Sequence, residues 1–374
     1  MFDHYKVPYP LVYNNINSAE FFSFTADLLR WNELKNDRSM PWKGEKDPYK
    51  IWLSEIILQQ TRVEQGLSYY EKFVHHFPTI TDLANADDEK VFKLWEGLGY
   101  YSRCKNLLAT ARIIAYEKQG VFPDKYKDII QLKGIGPYTA AAIASFAFNE
   151  PHAVVDGNVQ RVISRYFGIN TPIDTTEGKK MYQQLADVLL DQENPAVYNQ
   201  AIMDFGATVC KPQLPLCNEC FLRNDCQALA LNVVKSLPVK EKTLLKKQRF
   251  FHYFILQYED GVYIHKRTDK DIWENLYEFI LLESPVEYDL TQVKNQFAAL
   301  IQHNVAEPLW SSKVFKQTLT HLTVYGQFHR YKINEPLKDL SAYECVSLDR
   351  LTVYPWPKLI QQFFQEKATL AQLF

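Results

Sequence analysis

The sequence predicts a multidomain α plus α+β protein, with a helical region of about 230 residues followed by a smaller α+β domain. Three observations carry this reading. Up to about residue 230 the apolar residues recur at helical spacing, bracketed by capping and stop residues. Leu237-Pro238 then leads into a short, mostly basic connector from Lys240 to Arg249. Beyond it the period changes to two, with β-branched and aromatic residues between turn signals.

In order, residues 18–35 form an amphipathic pattern whose apolar members are Phe21, Phe22, Leu28, Leu29 and Trp31. Asp47-Pro48 is an N-cap followed by a first-turn proline and opens a helix to about Thr61. Further helices are predicted over 65–76, 88–96, 101–118, 124–132, 137–148, 157–167, 177–190 and 195–208. Gly97, Gly99, Gly120 and Gly168 fall at their ends, and Asn194-Pro195 starts the last. In the second region Glu259-Asp260-Gly261 joins two strands, Arg249 to Tyr258 and Val262 to Arg267. Two more strands are expected around Gly326 between Lys313 and Ile333, with helices over 290–302 and 357–365.

Composition narrows the function classes. The 374 residues are 47% hydrophobic and 23% charged, enough for sizeable cores in two or three domains. A formal net charge of −2 gives no global basic signature, so any nucleic-acid surface must be local. Met1 to Pro8 is mixed and proline-broken rather than a leader, and no apolar run approaches the span of a bilayer. The expectation is a soluble cytoplasmic protein without membrane contact.

Two motifs carry chemistry. In Leu132-Lys133-Gly134-Ile135-Gly136-Pro137-Tyr138-Thr139-Ala140, two glycines permit a tight turn with exposed amides, and Pro137 suits the first position of the following helix. Such free N–H groups can hold a phosphate oxygen. The second motif is Cys210-x6-Cys217-x2-Cys220-x5-Cys226. Zinc accepts four cysteines, but zinc ribbons usually pair two close cysteines with two across a longer gap. Four clustered thiolates match a [4Fe–4S] cluster better. Cys104 and Cys345 lie outside this set and read as ordinary buried thiols.

A helix–hairpin–helix about 75 residues before this cysteine loop resembles the endonuclease III superfamily of DNA glycosylases. Within it, Glu55 in Trp52-Leu53-Ser54-Glu55-Ile56-Ile57-Leu58-Gln59-Gln60-Thr61 is similar to the adenine DNA glycosylase (MutY) family. The resemblance covers about residues 25–365. It implies an all-α helix–hairpin–helix glycosylase region over 1–232, with a six-helix part at 31–136 and a cluster part at 1–30 and 137–232. A linker at 233–247 and a nudix-like lesion-recognition domain at 248–374 complete it; Trp273-Glu274-Asn275-Leu276-Tyr277-Glu278-Phe279 resembles that domain's core signature. The acidic helix of nudix hydrolases is missing, which speaks against pyrophosphatase activity.

The resemblance implies the roles of individual residues. Asp156, which also reads as an N-cap, and Glu55 are the carboxylate pair, with Tyr138 and Asn158 orienting them. Tyr138 stands where endonuclease III-type lyases carry a lysine, and it has no amine to attack the sugar. Arg38, Trp42, Gln60 and Gln200 are implied for the adenine pocket. Gln59, Thr61, Leu98, Tyr100, Lys133, Gly134 and Gly136 are implied for DNA contact, and Thr320 and His321 for lesion sensing. Leu319 replaces the aromatic residue usual in that sensing loop. Independently, Ile51, Trp52 and Leu58 share the helix face of Glu55, so its carboxyl should be desolvated and its pKa raised.

The expected function is a monomeric, monofunctional glycosylase, nucleoid-associated in a bacterium. It would flip and release adenine paired with 8-oxoguanine or guanine in double-stranded DNA. The alternatives are a glycosylase/lyase on oxidised pyrimidines and a non-catalytic iron–sulfur DNA-binding protein.

Overall fold

The computed structural model describes residues 18–241, 246–301, 308–336 and 342–366, with side chains from residue 23 onward. Phe21 and Phe22 therefore lie outside the described side chains. In chain order the first helices are α1 (Ser18–Lys35), α2 (Pro48–Leu58), α3 (Val63–His76), α4 (Ile80–Asn85), α5 (Asp88–Trp95) and α6 (Tyr101–Arg112). A π-helical turn, Ile113–Glu117, follows. Then come α7 (Tyr126–Ile129), α8 (Pro137–Phe148), α9 (Gly157–Tyr166), α10 (Thr176–Leu189), α11 (Pro195–Thr208) and α12 (Gln227–Ala230). The remaining elements are β1 (Lys247–Tyr258), β2 (Gly261–Lys266), β3 (Tyr277–Ser284), α13 (Leu290–Ile301), β4 (Trp310–Ser311), β5 (Phe315–Thr318), β6 (Leu322–Ile333), β7 (Glu344–Ser347) and α14 (Lys358–Gln365).

Most helix ends follow local chemistry. The Asp47 carboxylate accepts the Tyr49 amide with Pro48 in the first turn, as the sequence predicts. Helix α2 stops at Leu58 rather than near Thr61, because Gln60 turns into the left-handed region at φ 56°. The predicted 124–132 helix shrinks to the single turn of α7, and the short α4 was not expected. Among the described residues no helix is long and apolar enough to cross a membrane.

The chain divides into two compact units, Met1–Gln60 with Ile114–Lys242, and Thr61–Ile113 with Thr243–Phe374. Side-chain chemistry explains this division. Residues 61–113 are tied to the C-terminal elements: Lys93 Nζ donates to the Tyr354 carbonyl at 2.9 Å, and Glu96 accepts the Trp356 amide at 2.8 Å. Lys105 pairs with Glu274 at 2.5 Å, and the Tyr277 hydroxyl donates to Glu89 at 2.5 Å. The expected linker is likewise partly fixed. Leu237 is buried and its carbonyl accepts Arg165 Nε at 3.1 Å, while the Val239 carbonyl accepts the Ile173 amide at 3.0 Å.

In the first unit, α1, α9, α10 and α11 close around one core that includes Phe24, Leu28, Trp31, Val162, Tyr182, Leu185, Ile202 and Phe205. Helix α8 packs on α2, α7 and α11. That arrangement sets the first turns of α8 and α9 within reach of the middle of α2.

In the second unit the sheet has the order β4-β6-β1-β3-β2-β7, with β5 also on β6. Only β1 and β6 run parallel among these pairings. The β1–β2 hairpin turns over Glu259-Asp260, with Tyr258 opposite Gly261. Helix α13 lays Val293, Phe297 and Ile301 into the core with Phe254 and Tyr331. The two strands expected between Lys313 and Ile333 are β5 and β6. The turn between β5 and β6 is Leu319-Thr320-His321, closed by the Leu319 amide on the Leu322 carbonyl at 2.7 Å. Gly326 lies inside β6, where an added Cβ would sit 2.3 Å from Leu359 Cδ2 of α14. Gly326→Ala is expected to cost about 1–3 kcal/mol of stability through overpacking, read as a lower denaturation midpoint in urea. Cys104 is buried as expected, whereas Cys345 is exposed on the edge strand β7.

Candidate active site

The first unit brings together residues far apart in sequence. Glu55 lies in the middle of α2, 8% exposed, with Ile51 and Trp52 at 2% and 1% on the same stretch. Leu58 on the same face is half-buried. Burial is the main reason its carboxyl is pushed up to about 7; the charge of Asp156 adds to this, and a hydrogen bond from Tyr138 opposes it. Tyr138 occupies the first turn of α8, directly after Pro137. Its own hydroxyl is driven well above its ordinary range by burial and by the two carboxylates, so it stays a donor.

Asp156 is the N-cap of α9. Its Oδ1 accepts the Asn158 and Val159 amides at 2.8 Å each, and Oδ2 accepts Asn158 Nδ2 at 2.7 Å. Burial pushes the Asp156 carboxyl up, while these three donors and Arg161 hold it down. Helix capping thus fixes the direction of the carboxylate. Asn158 is locked in turn, since its Oδ1 accepts Arg161 Nη2 at 2.7 Å. Asn199 holds the segment before Asp156, accepting the Val154 amide at 3.0 Å and donating to the His152 carbonyl at 2.9 Å.

Two residues not singled out in the sequence complete the frame. Arg161 also donates to the Gly206 and Cys210 carbonyls at 2.7 Å each, linking Asn158 to the first cysteine of the loop. Asp204 on α11 is fully buried and gathers Arg38, Lys43, Asn36 and Gln200. The available signal was the Gln200–Asp204 spacing of four, which places both on one helix face. Trp42 is half-buried in the same 36–43 loop, and Gln60 is exposed.

The glycine turn behaves differently from its sequence reading. Gly134 has φ 77°, a conformation that suits glycine. Gly136 is extended, φ −95° and ψ 176°, and an added Cβ there would meet nothing within 4 Å. Its backbone needs no glycine; what the missing side chain provides is open access to the first amides of α8. Lys133 is exposed beside them. Gln59 is half-buried and donates to Thr139 Oγ1 at 3.2 Å, which joins the end of α2 to the start of α8.

Cys210, Cys217, Cys220 and Cys226 line one cavity with Arg165, Val209 and Leu229. Arg165 Nη1 donates to Cys210 Sγ at 3.5 Å. Among the described residues no three such side chains converge as ligands of a single metal ion.

The chain is similar to known repair proteins. The model of the HhH-GPD superfamily base excision DNA repair proteins matches residues 53–189, and that of the NUDIX domain matches residues 252–366. The adenine DNA glycosylase of Buchnera aphidicola subsp. Baizongia pistaciae is 34% identical over 306 residues, 81% of this chain and 84% of its own. The chain belongs to the adenine DNA glycosylase family. The human adenine DNA glycosylase is 41% identical over 219 residues, covering 56% of this chain and 40% of its own. Among solved structures, a thermostable thymine-DNA glycosylase superposes with a TM-score of 0.52 at 29% identity, over 56% of this chain and 97% of that one. The protein is thus a DNA glycosylase.

The second unit of the glycosylase holds a cleft of about 580 Å³ lined by Tyr100, Lys105, Lys246, Trp273, Glu274, Leu319, Thr320 and His321, among others. The Tyr100 hydroxyl is hydrogen-bonded to Thr320 Oγ1. Tyr100 is 44% exposed with its backbone in the left-handed region, and the Arg103 guanidinium lies 5.4 Å from its ring centre. Leu98, expected to contact DNA, is only 7% exposed because it turns inward after Gly97. Of the two, Tyr100 reaches solvent. Thr61 is half-buried and His321 exposed.

Proposed function

We propose that this glycosylase removes adenine paired with 8-oxoguanine or guanine in duplex DNA, by base flipping and acid-assisted hydrolysis of the N-glycosidic bond, without strand cleavage. The observation that carries the reading is Glu55: a buried carboxyl pushed up to about 7, hydrogen-bonded to a tyrosine where a lyase needs an amine. The target adenine must leave the stack, since its reacting atoms are inaccessible in the duplex. Glu55 then gives its proton to the base, turning it into a leaving group. As the bond breaks, positive charge develops on the sugar; the Asp156 carboxylate, held by its three donors, stabilises it or bonds to it, and water completes the hydrolysis. Arg38, Trp42, Gln60 and Gln200 form the adenine pocket. The amides of Gly134 and Gly136, with Lys133, grip the phosphate backbone. Tyr100, Thr320 and His321 read the opposite base in their cleft, with Leu319 giving its wall an aliphatic rather than an aromatic side chain.

The four cysteines are proposed as ligands of a [4Fe–4S] cluster, which shapes the loop that Arg161 and Arg165 attach to α9. The similarity of the HhH-GPD region to repair enzymes and the single cavity shared by all four thiols support this.

The test is a panel of duplexes with adenine opposite 8-oxoguanine, guanine and thymine, run with purified protein whose iron content is measured. Excision from the first two only is expected, with strand scission appearing only after alkali, and about four iron atoms per chain. Nicking without alkali, or activity on oxidised pyrimidines alone, overturns the assignment.

A further inference from the structure

We infer that Asp204 is the positioning residue that sets base selectivity, by fixing which end of the Gln200 amide is left to meet the base. The inference rests on the proposed reading of adenine as substrate. Asp204 has 0% exposure, and each of its oxygens has two donors. Oδ1 takes Arg38 Nη1 at 2.8 Å and Gln200 Nε2 at 3.0 Å; Oδ2 takes Asn36 Nδ2 at 3.0 Å and Lys43 Nζ at 3.1 Å. Lys43 also donates to the Arg38 carbonyl at 2.8 Å, closing the 36–43 loop on itself.

A carboxylate oxygen accepts and has no N–H to offer, and two cations, Arg38 and Lys43, already point their N–H groups at this one. Gln200 must therefore turn its NH2 toward Asp204, which leaves Oε1 as a free acceptor. Arg38 spends one nitrogen on the same carboxylate and keeps its others as donors. One buried group thus presents an acceptor and a donor together from two segments that lie 162 residues apart (200 − 38). Adenine offers the complement, an exocyclic amino donor beside ring-nitrogen acceptors. A 6-oxo purine places a carbonyl where the amino group would be, and that oxygen meets Gln200 Oε1 as a second acceptor. A site built to pair with one polar group discriminates strongly against its inverse.

The experiment compares single-turnover excision of adenine and hypoxanthine, each opposite 8-oxoguanine, by the wild type and Asp204→Asn. The asparagine offers either an oxygen or an NH2, so Gln200 is free to turn over. The wild type is expected to favour adenine, and the adenine-to-hypoxanthine ratio is expected to fall about tenfold or more in the variant. A ratio unchanged by Asp204→Asn overturns the inference, even if both rates fall, because that pattern belongs to a merely structural role. If Asp204→Asn does not give a cooperatively melting protein, Gln200→Leu decides. It removes the oriented acceptor and leaves Asp204 its three other donors, so an unchanged ratio there also overturns the inference. A wild type that excises no adenine at all refutes the proposed function instead.

Discussion

Glu55→Gln is expected to excise adenine about 10²–10⁴ times more slowly than the wild type, the span usual for a lost general acid. Gln keeps the shape and can still accept from Tyr138, but it holds no proton to give. The same substitution is expected to raise stability at neutral and alkaline pH. The Glu55 carboxyl ionises near 4.5 in an unfolded chain and near 7 in the folded one. Between these values the native state holds a proton that the unfolded state has lost, so stability falls as pH rises from 4.5 to about 7 and stays reduced above it. A shift of this size corresponds to on the order of 3 kcal/mol. Thermal melts should therefore show Glu55→Gln more stable than the wild type at pH 8, with the difference vanishing below pH 4.5. For the wild type, excision should decline as pH rises through about 7, where the acid is lost. A Glu55→Gln protein with near-normal excision, or with no gain in melting temperature at pH 8, would sink the assignment.

Asp156→Asn gives the second large effect, with a different signature. Loss of the charge facing the developing sugar cation is expected to slow excision by about 10²–10³-fold. Asparagine caps helices as well as aspartate, so α9 keeps its first turn and its stability changes little. The side chain is still not a neutral replacement. Its NH2 would face Asn158 Nδ2, which cannot turn over without giving up Arg161 at 2.7 Å. The charge of Asp156 also raises the Glu55 pKa, so its removal should move the alkaline limb of any residual activity to lower pH. A pH profile measured under single-turnover conditions checks both parts. Slower excision with an unmoved limb would separate the two carboxylates and contradict the coupling.

The two substitutions together distinguish the roles of the acids. Burial raises both carboxyls, Glu55 to about 7, but Asp156 has three donors and Arg161 favouring its charged form where Glu55 has the Tyr138 hydroxyl alone.

Much of this was legible along the chain. Helix α1, α8 and α11 fall on the predicted residues because their signals are local: apolar spacing, Pro in the first turn, glycine or asparagine at the end. Glu55 announced its burial through Ile51 and Trp52 one turn away, and Asp156 announced its cap. The four cysteines stood out by spacing. Each of these depends on neighbours within about four residues, the range over which a helix or loop couples side chains.

What the sequence alone did not determine is partner choice across long separations. Asp204 reads as an ordinary helical aspartate until α1, the 36–43 loop and α11 pack and leave its carboxylate at 0% exposure. Stretch 61–113 reads as part of one helical region, yet Glu89, Lys93, Glu96 and Lys105 find their partners beyond residue 250. Leu98 turned inward, and Gly326 came to lie inside β6, where Leu359 takes the space a side chain would need. Such outcomes follow from close packing, which excludes or admits each side chain according to what arrives on the other side, and no period in the sequence records that. The sequence by itself singled out the candidate groups through local pattern; the tertiary structure decided that Glu55, Tyr138 and Asp156 meet, with Glu55 buried so that its carboxyl is pushed up to about 7.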